Sequence, residues 1–243
     1  MRQAGCINAQ ALEAVRQAVR PGVTTGELDR IAEEVIRSHG GKPAFLGYPN
    51  ATFPGHPYPA TLNTSINDEL VHGIPGLRKL KEGDILSVDC GTIWRGFVGD
   101  SAITLPVGRV SAEAERLIAV TQEALWRAID ASRVGNRFGD ISATIQEWVE
   151  SQGYQVVIEY TGHGVGRDMH EDPTIPNWGK RDRGVPLRPG MTFALEPMVT
   201  IGPPELIVKD DFWTVATRDG SLCAHFEHSI AVTDGEPLIL TLC

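Results

Sequence analysis

Hydrophobic positions recur at helical spacing from Ala9 to Val19, and Pro21-Gly22 ends the run. Leu28, Ile31, Ala32, Val35 and Ile36 form a second apolar stripe, opened by Thr24 and Glu27 at capping-box spacing and closed by Gly40-Gly41. Between Pro43 and Asn63 five prolines interrupt any period, and Phe45, Tyr48, Phe53 and Tyr58 make this an aromatic loop of the kind that binds ligands. The segment Val71-His72-Gly73-Ile74-Pro75 follows, and then a strand-like run, Ile85-Leu86-Ser87-Val88, leads into DCGTIWRGFVGD. That stretch predicts a β-hairpin turning over Ile93 to Gly96, which sets Asp89 directly across from Asp100, with an outgoing strand from Ser101 to Leu105. Helical spacing returns from Ser111 to Ser132 and from Ile141 to Gln152, where Ile141, Ile145, Trp148 and Val149 form the stripe. A strand is expected over Val156 to Tyr160, running into Thr161-Gly162-His163-Gly164-Val165-Gly166. After a charged connector, Arg181 to Pro189, strands are expected over Met191 to Glu196, Phe212 to Thr217 and Leu222 to Val232, the last two joined by an Asp219-Gly220 hairpin turn.

The order of elements repeats. Arg20, Gly22, Gly26, Glu34, Ser38 and Gly40 recur at one constant offset as Arg133, Gly135, Gly139, Glu147, Ser151 and Gly153. Leu80-Lys81-Glu82-Gly83 and Asp89 likewise find counterparts in Leu187-Arg188-Pro189-Gly190 and Glu196. Two helix-then-sheet halves, about 1–110 and 111–243, predict a single α+β domain with pseudo-two-fold symmetry and a site between the halves.

Composition narrows the function classes. A chain of 243 residues with 42% hydrophobic content can bury one large core. Its net charge of −9 and lack of a basic patch argue against nucleic acid or an anionic membrane as partner. No apolar run approaches the roughly 20 residues of a membrane span, and no signal segment opens the chain. Cys6, Cys90, Cys223 and Cys243 are scattered without a CxxC pair, which predicts reduced thiols and a cytoplasmic location.

Strand alternation then selects the acids that share a face. Phe193 and Leu195 point one way and Thr192, Ala194 and Glu196 the other; Phe226, Ile230 and Val232 oppose His225, Glu227 and Ser229. A lone strand glutamate is usually solvated and a lone histidine usually hydrogen-bonded inside a core. Four carboxylates and one imidazole gathered on one face are different, because such charge cannot be buried without cations. Asp89, Asp100, His163, Glu196 and Glu227 therefore predict two divalent ions, with oxygen-rich ligation suited to Mn, Fe, Co or Zn. Two ions bridged by carboxylates can hold a hydroxide and polarise a carbonyl, so the expected chemistry is metal-assisted hydrolysis.

The ordered motifs Val71-His72-Gly73-Ile74-Pro75, Val88-Asp89, Gly99-Asp100, Thr161-Gly162-His163-Gly164, Met169-His170-Glu171, Leu195-Glu196-Pro197 and Phe226-Glu227-His228 resemble the type I methionine aminopeptidases of the pita-bread fold. The resemblance covers nearly the whole chain. It implies that Asp89 chelates one metal, that Asp100 and Glu227 bridge, and that His163 and Glu196 complete the second. It also implies that His72 and His170 contact the scissile peptide, that Glu196 shuttles the proton, and that Phe45, Tyr48, Met169 and Trp213, with Asn63 at the edge, line the methionine pocket. The implied activity is removal of the initiator methionine from nascent chains with a small second residue, by a monomer in transient contact with the ribosome. Two departures from the family pattern stand out: an upstream helix turn is missing before Met1, and Pro49 to Pro59 is long. A prolidase on the same fold would be expected to carry an extra N-terminal domain, and a binding module that had lost catalysis would be expected to have lost ligands.

Overall fold

The computed structural model describes residues 1–243, in four helices and fifteen strands. The helices are α1 (Arg2–Ala18), α2 (Thr25–Ser38), α3 (Ala112–Ala131) and α4 (Phe138–Ser151). The strands of the first half are β1 (Lys42–Pro43), β2 (Leu62–Ile66), β3 (Glu69–Val71), β4 (Ile85–Trp94) and β5 (Phe97–Pro106). Those of the second are β6 (Gln155–Val156), β7 (Thr161–Gly164), β8 (Glu171–Pro176), β9 (Thr192–Leu195), β10 (Met198–Thr200), β11 (Leu206–Val208), β12 (Val215–Thr217), β13 (Cys223–His225), β14 (Glu227–Ala231) and β15 (Leu238–Ile239). A nine-stranded sheet runs β1-β4-β5-β14-β9-β7-β8, with β2 beside β4 and β15 beside β14; two three-stranded sheets, β13-β10-β6 and β11-β12-β3, complete the fold.

Each half supplies its own apolar core. Ile7, Ala11 and Val15 of α1 pack with Leu28, Ala32 and Ile36 of α2 against Leu62, Leu86 and Val88. Leu117, Leu125, Ile141 and Ile145 of α3 and α4 pack against Phe193, Leu195, Phe226 and Ile230. Each sheet face turned toward helices is thus the greasy one, which leaves the opposite face free for polar side chains. The Thr24 and Glu27 capping box forms as expected. Helix α4 has the bounds of α2 moved by the repeat offset, and the flanking pairs Gly22 and Gly135 (φ 93° and 103°) and Gly40 and Gly153 (φ 72° and 85°) share a left-handed backbone. That conformation carries little cost only in glycine.

Several sequence expectations are corrected. Helix α1 begins at Arg2 rather than Ala9, and Ala4, Ile7 and Asn8 continue its buried stripe. Gly5 and the polar Asn8 hid that stripe: a Cβ on Gly5 would strike the Leu240 carbonyl, and Asn8 donates to the Cys90 carbonyl (2.5 Å) and Ser101 Oγ (2.8 Å) while accepting from Thr92 Oγ1 (2.7 Å). The hairpin turns on Arg95-Gly96, both at positive φ, so Trp94 pairs with Phe97, and Gly91 rather than Asp89 lies opposite Asp100. The two aspartates are diagonal neighbours on one face.

Beyond Val156 the expected strand stops, and pairing resumes only at Thr161. The expected strand from Leu222 to Val232 is broken at Phe226 into β13, which pairs with β10, and β14, which pairs with β9 and β5. Pro197 interrupts the partner chain at the same level, between β9 and β10, and its carbonyl accepts from the Phe226 amide at 3.4 Å. A proline cannot donate to the ladder, so the paired ribbon leaves one sheet and enters another at that level. The Asp219-Gly220 turn accordingly joins strands of two different sheets, not a hairpin. Cys6 and Cys243 form a disulfide with Cα atoms 4.7 Å apart, while Cys90 and Cys223 are free and buried. A separation of 237 residues leaves no spacing signature from which that pairing could be read.

Candidate metal centre and active site

Five neighbouring strands each bring one side chain to the polar face. Asp89 lies on β4, Asp100 on β5, Glu227 opens β14, Glu196 directly follows β9, and His163 lies on β7. Asp89 and Glu227 both pair with Ala102 across the sheet, and His163 pairs with Ala194. These alanines keep the floor low between the longer side chains. Ser229 fixes the level of β5 against β14, accepting from the Asp100 amide at 3.1 Å and donating to its carbonyl at 2.8 Å.

The ligand atoms of Asp100, His163 and Glu227 all lie within 4.8 Å of one another. His163 Nε2 stands 3.4 Å from Glu196 Oε1 and 3.7 Å from Asp100 Oδ2. His163 Nδ1 donates to the Gly164 carbonyl at 2.9 Å, which leaves Nε2 with its lone pair aimed at the acids. Burial, then Asp100, raises Asp89 well above the usual carboxylate range; burial raises Asp100 to about 7; and burial, then Asp100, raises Glu196 and Glu227. Asp89 Oδ1, Asp100 Oδ1 and Glu227 Oε1 are buried acceptors without any partner. Orphaned oxygens beside a neutral imidazole, on acids that resist ionisation when alone, are a donor set that fits hard divalent cations.

Two further imidazoles flank the acids. His72 takes φ 61°, a left-handed conformation that turns its ring into the cavity, and burial with the nearby His170 lowers it to about 4. His170 stands at the rim with its ring centroid 4.3 Å from that of His163, and its Nδ1 meets Tyr48 OH at 2.6 Å. Burial and then Asp100 raise the Tyr48 phenol, which therefore stays a donor and leaves the proton of His170 on Nε2. The cavity over the cluster is about 310 Å³, with Phe45, Tyr48, Asn63 and Trp213 on its wall. Met169 is buried behind that wall, in a small cluster with Ala44, Val98 and Phe45.

Three further residues that line the cavity were given no individual site role by the sequence. Tyr58 closes the slot, its ring edge-on to Trp213 at 5.1 Å and its hydroxyl donating to the Leu62 and Gly73 carbonyls. Tyr160 lines the mouth. His225 is buried with Nε2 unpartnered, 3.8 Å from Glu196 Oε2; strand alternation put it on the face of Glu227 but gave it no role.

A buried acid cluster with neutral imidazoles, open to an aromatic slot on an α+β sheet, defines a metal-dependent hydrolase. A profile of metallopeptidase family M24 matches residues 1–234. A methionine aminopeptidase of Clostridium acetobutylicum is 49% identical over 244 aligned positions, covering 100% of this chain and 95% of its own. The crystal structure of methionine aminopeptidase from Thermotoga maritima superposes with a TM-score of 0.95 at 45% identity, over 100% of this chain and 95% of that one. A prolidase from Pyrococcus horikoshii shares the fold, with a TM-score of 0.77 at 20% identity over 99% of this chain and 60% of that one. The chain belongs to metallopeptidase family M24 and has its pita-bread fold.

One consequence is measurable without substrate. Adding Mn²⁺ to metal-free protein at pH 6 is expected to release protons, because carboxylates with raised values must ionise to ligate. The release should fall as pH rises through about 7, where Asp100 is already ionised. Titration calorimetry in buffers of different ionisation enthalpy checks this, and heats independent of buffer at pH 6 would contradict it.

Proposed function

We propose that this enzyme removes the initiator methionine from nascent proteins whose second residue is small. The observation that carries the proposal is an aromatic slot, walled by Phe45, Tyr48, Tyr58 and Trp213, opening onto the acid cluster. Aromatic faces suit a flexible thioether, and a slot of this size takes one side chain beside the bond to be cleaved.

Asp89, Asp100, His163, Glu196 and Glu227 would hold two divalent ions of the Mn, Fe, Co or Zn kind. Bound ions supply an activated water and polarise the scissile carbonyl. Glu196 accepts the proton of the attacking water and returns it to the leaving amine. His170, held by Tyr48, donates through Nε2 to the developing oxyanion, and His72 hydrogen-bonds on the leaving-group side. Low values for the two imidazoles keep them neutral at pH 7, so they donate without repelling the ions. A bulky second side chain would hold the scissile bond away from the acids, which is why steric exclusion sets the specificity.

The same reading makes residues 1–243 one catalytic domain of two related halves, supported by the matched helix bounds and the two separate cores. The enzyme would work as a monomer in the cytoplasm, touching the ribosome transiently through the body of this domain. There the Cys6–Cys243 pair would meet a reducing thiol pool. No helix is long and apolar enough to cross a membrane.

With metal-loaded enzyme, Met-Ala-Ser is expected to be cleaved at least about 10²-fold faster, in kcat/KM, than Met-Arg-Ser. Similar rates for the two peptides would refute the specificity.

A further inference from the structure

A second cavity, of about 240 Å³, adjoins the catalytic one and shares Tyr48, His72, Tyr160 and Trp213 with it. Its outer walls are the proline-rich loop at Pro49 to Phe53 and the segment around Val208 and Phe212. This wall is built, not incidental. Asn50 Nδ2 donates to the Phe212 carbonyl at 2.9 Å, Trp213 Nε1 donates to the His56 carbonyl at 2.8 Å, and the Phe53 and Phe212 rings meet at 5.4 Å. Phe212 is 39% and Val208 45% exposed, so apolar surface remains open along the groove. Asn50 also caps the turn, its Oδ1 accepting from the Thr52 and Phe53 amides.

We propose that this groove is a subsite for the third residue of the peptide substrate, selecting an apolar side chain there. The inference rests on the aminopeptidase reading and extends it. With the methionine side chain in the slot and the scissile bond over the acids, the leaving portion passes His72, one of the four residues that face both cavities. An extended chain advances about 3.3 Å per residue, so the third residue is the first to clear the catalytic cavity. The groove offers it aromatic and aliphatic walls and the carbonyl-anchored loop above. An anionic side chain would lose hydration against these apolar walls without gaining a partner.

The test is a series Met-Ala-Leu-Ser, Met-Ala-Ser-Ser and Met-Ala-Asp-Ser, assayed with wild type, Phe53→Ser and Val208→Ser. Wild type is expected to favour leucine over serine by about tenfold in kcat/KM, with aspartate slowest. Each variant should bring the leucine-to-serine ratio close to one. The two variants lie on opposite walls, so misfolding of one leaves the other to decide. Equal rates for leucine and serine in wild type would overturn the subsite. So would a preference that survived in a folded variant, because it would then arise elsewhere. Failure to cleave any of the Met-Ala peptides would instead refute the aminopeptidase reading, and the subsite with it.

Discussion

Glu227→Gln is expected to lower kcat/KM by about 10³-fold or more and to reduce the metal content per chain. At the same time, the metal-free protein should become more stable. Glu227 opens β14 among Asp89, Asp100 and Glu196, fully enclosed, with one oxygen lacking any partner. An amide of the same shape offers one weak neutral acceptor where the carboxylate offered a charge, so a cation loses the group that draws it to Asp100. Burial and the neighbouring acids hold Glu227 well above its ordinary value. Between its unfolded and folded values, the folded state binds the extra proton. Stability of the metal-free wild type therefore falls as pH rises through that window. Glutamine removes this burden. The metal-free variant should melt a few degrees higher than metal-free wild type at pH 8, with the gap closing toward pH 4.5. Elemental analysis, peptide kinetics and melting curves of dialysed protein check the three parts. Unchanged metal content together with unchanged activity would remove Glu227 from the ligand set.

His170→Ala should behave in the opposite way on metal. A loss of about 10²–10³-fold in kcat/KM is expected from the missing donor, with metal content as in wild type. The structural reason is position: His170 stands at the rim, tied to Tyr48 at 2.6 Å, while His163 4.3 Å away turns its Nε2 toward the acids. Tyr48→Phe should give a smaller loss, about tenfold, because the ring remains but its orientation and tautomer are no longer fixed. Metal loss in His170→Ala, measured by the same elemental analysis, would show that this imidazole is a ligand instead.

Much of the site was legible because strand alternation is a local property. Glu196 and Glu227 were assigned to the polar face from their neighbours alone, and both line the catalytic cavity. The helices were equally readable: the Thr24 and Glu27 box and the Ser111 cap depend on contacts within one turn. The hairpin register was missed by two residues because the turn depends on Arg95 accepting a left-handed conformation, which its side chain does not advertise. Tyr48 was taken only for a pocket wall, since its bond to His170 spans 122 positions of chain.

What the sequence determined by itself is therefore the local order: helices and their caps, the inward face of each strand, and the residue types suited to divalent ions. Only the tertiary structure decided how strands ending far apart in sequence meet. It broke the ribbon at Pro197 and Phe226, paired Cys6 with Cys243, and set the proline-rich loop against Phe212 to make a second cavity. Caps and alternation depend on interactions within a few residues. Register, pairing and cavity shape arise when distant segments close on one another, and the entropy of that closure is offset only by packing of the whole.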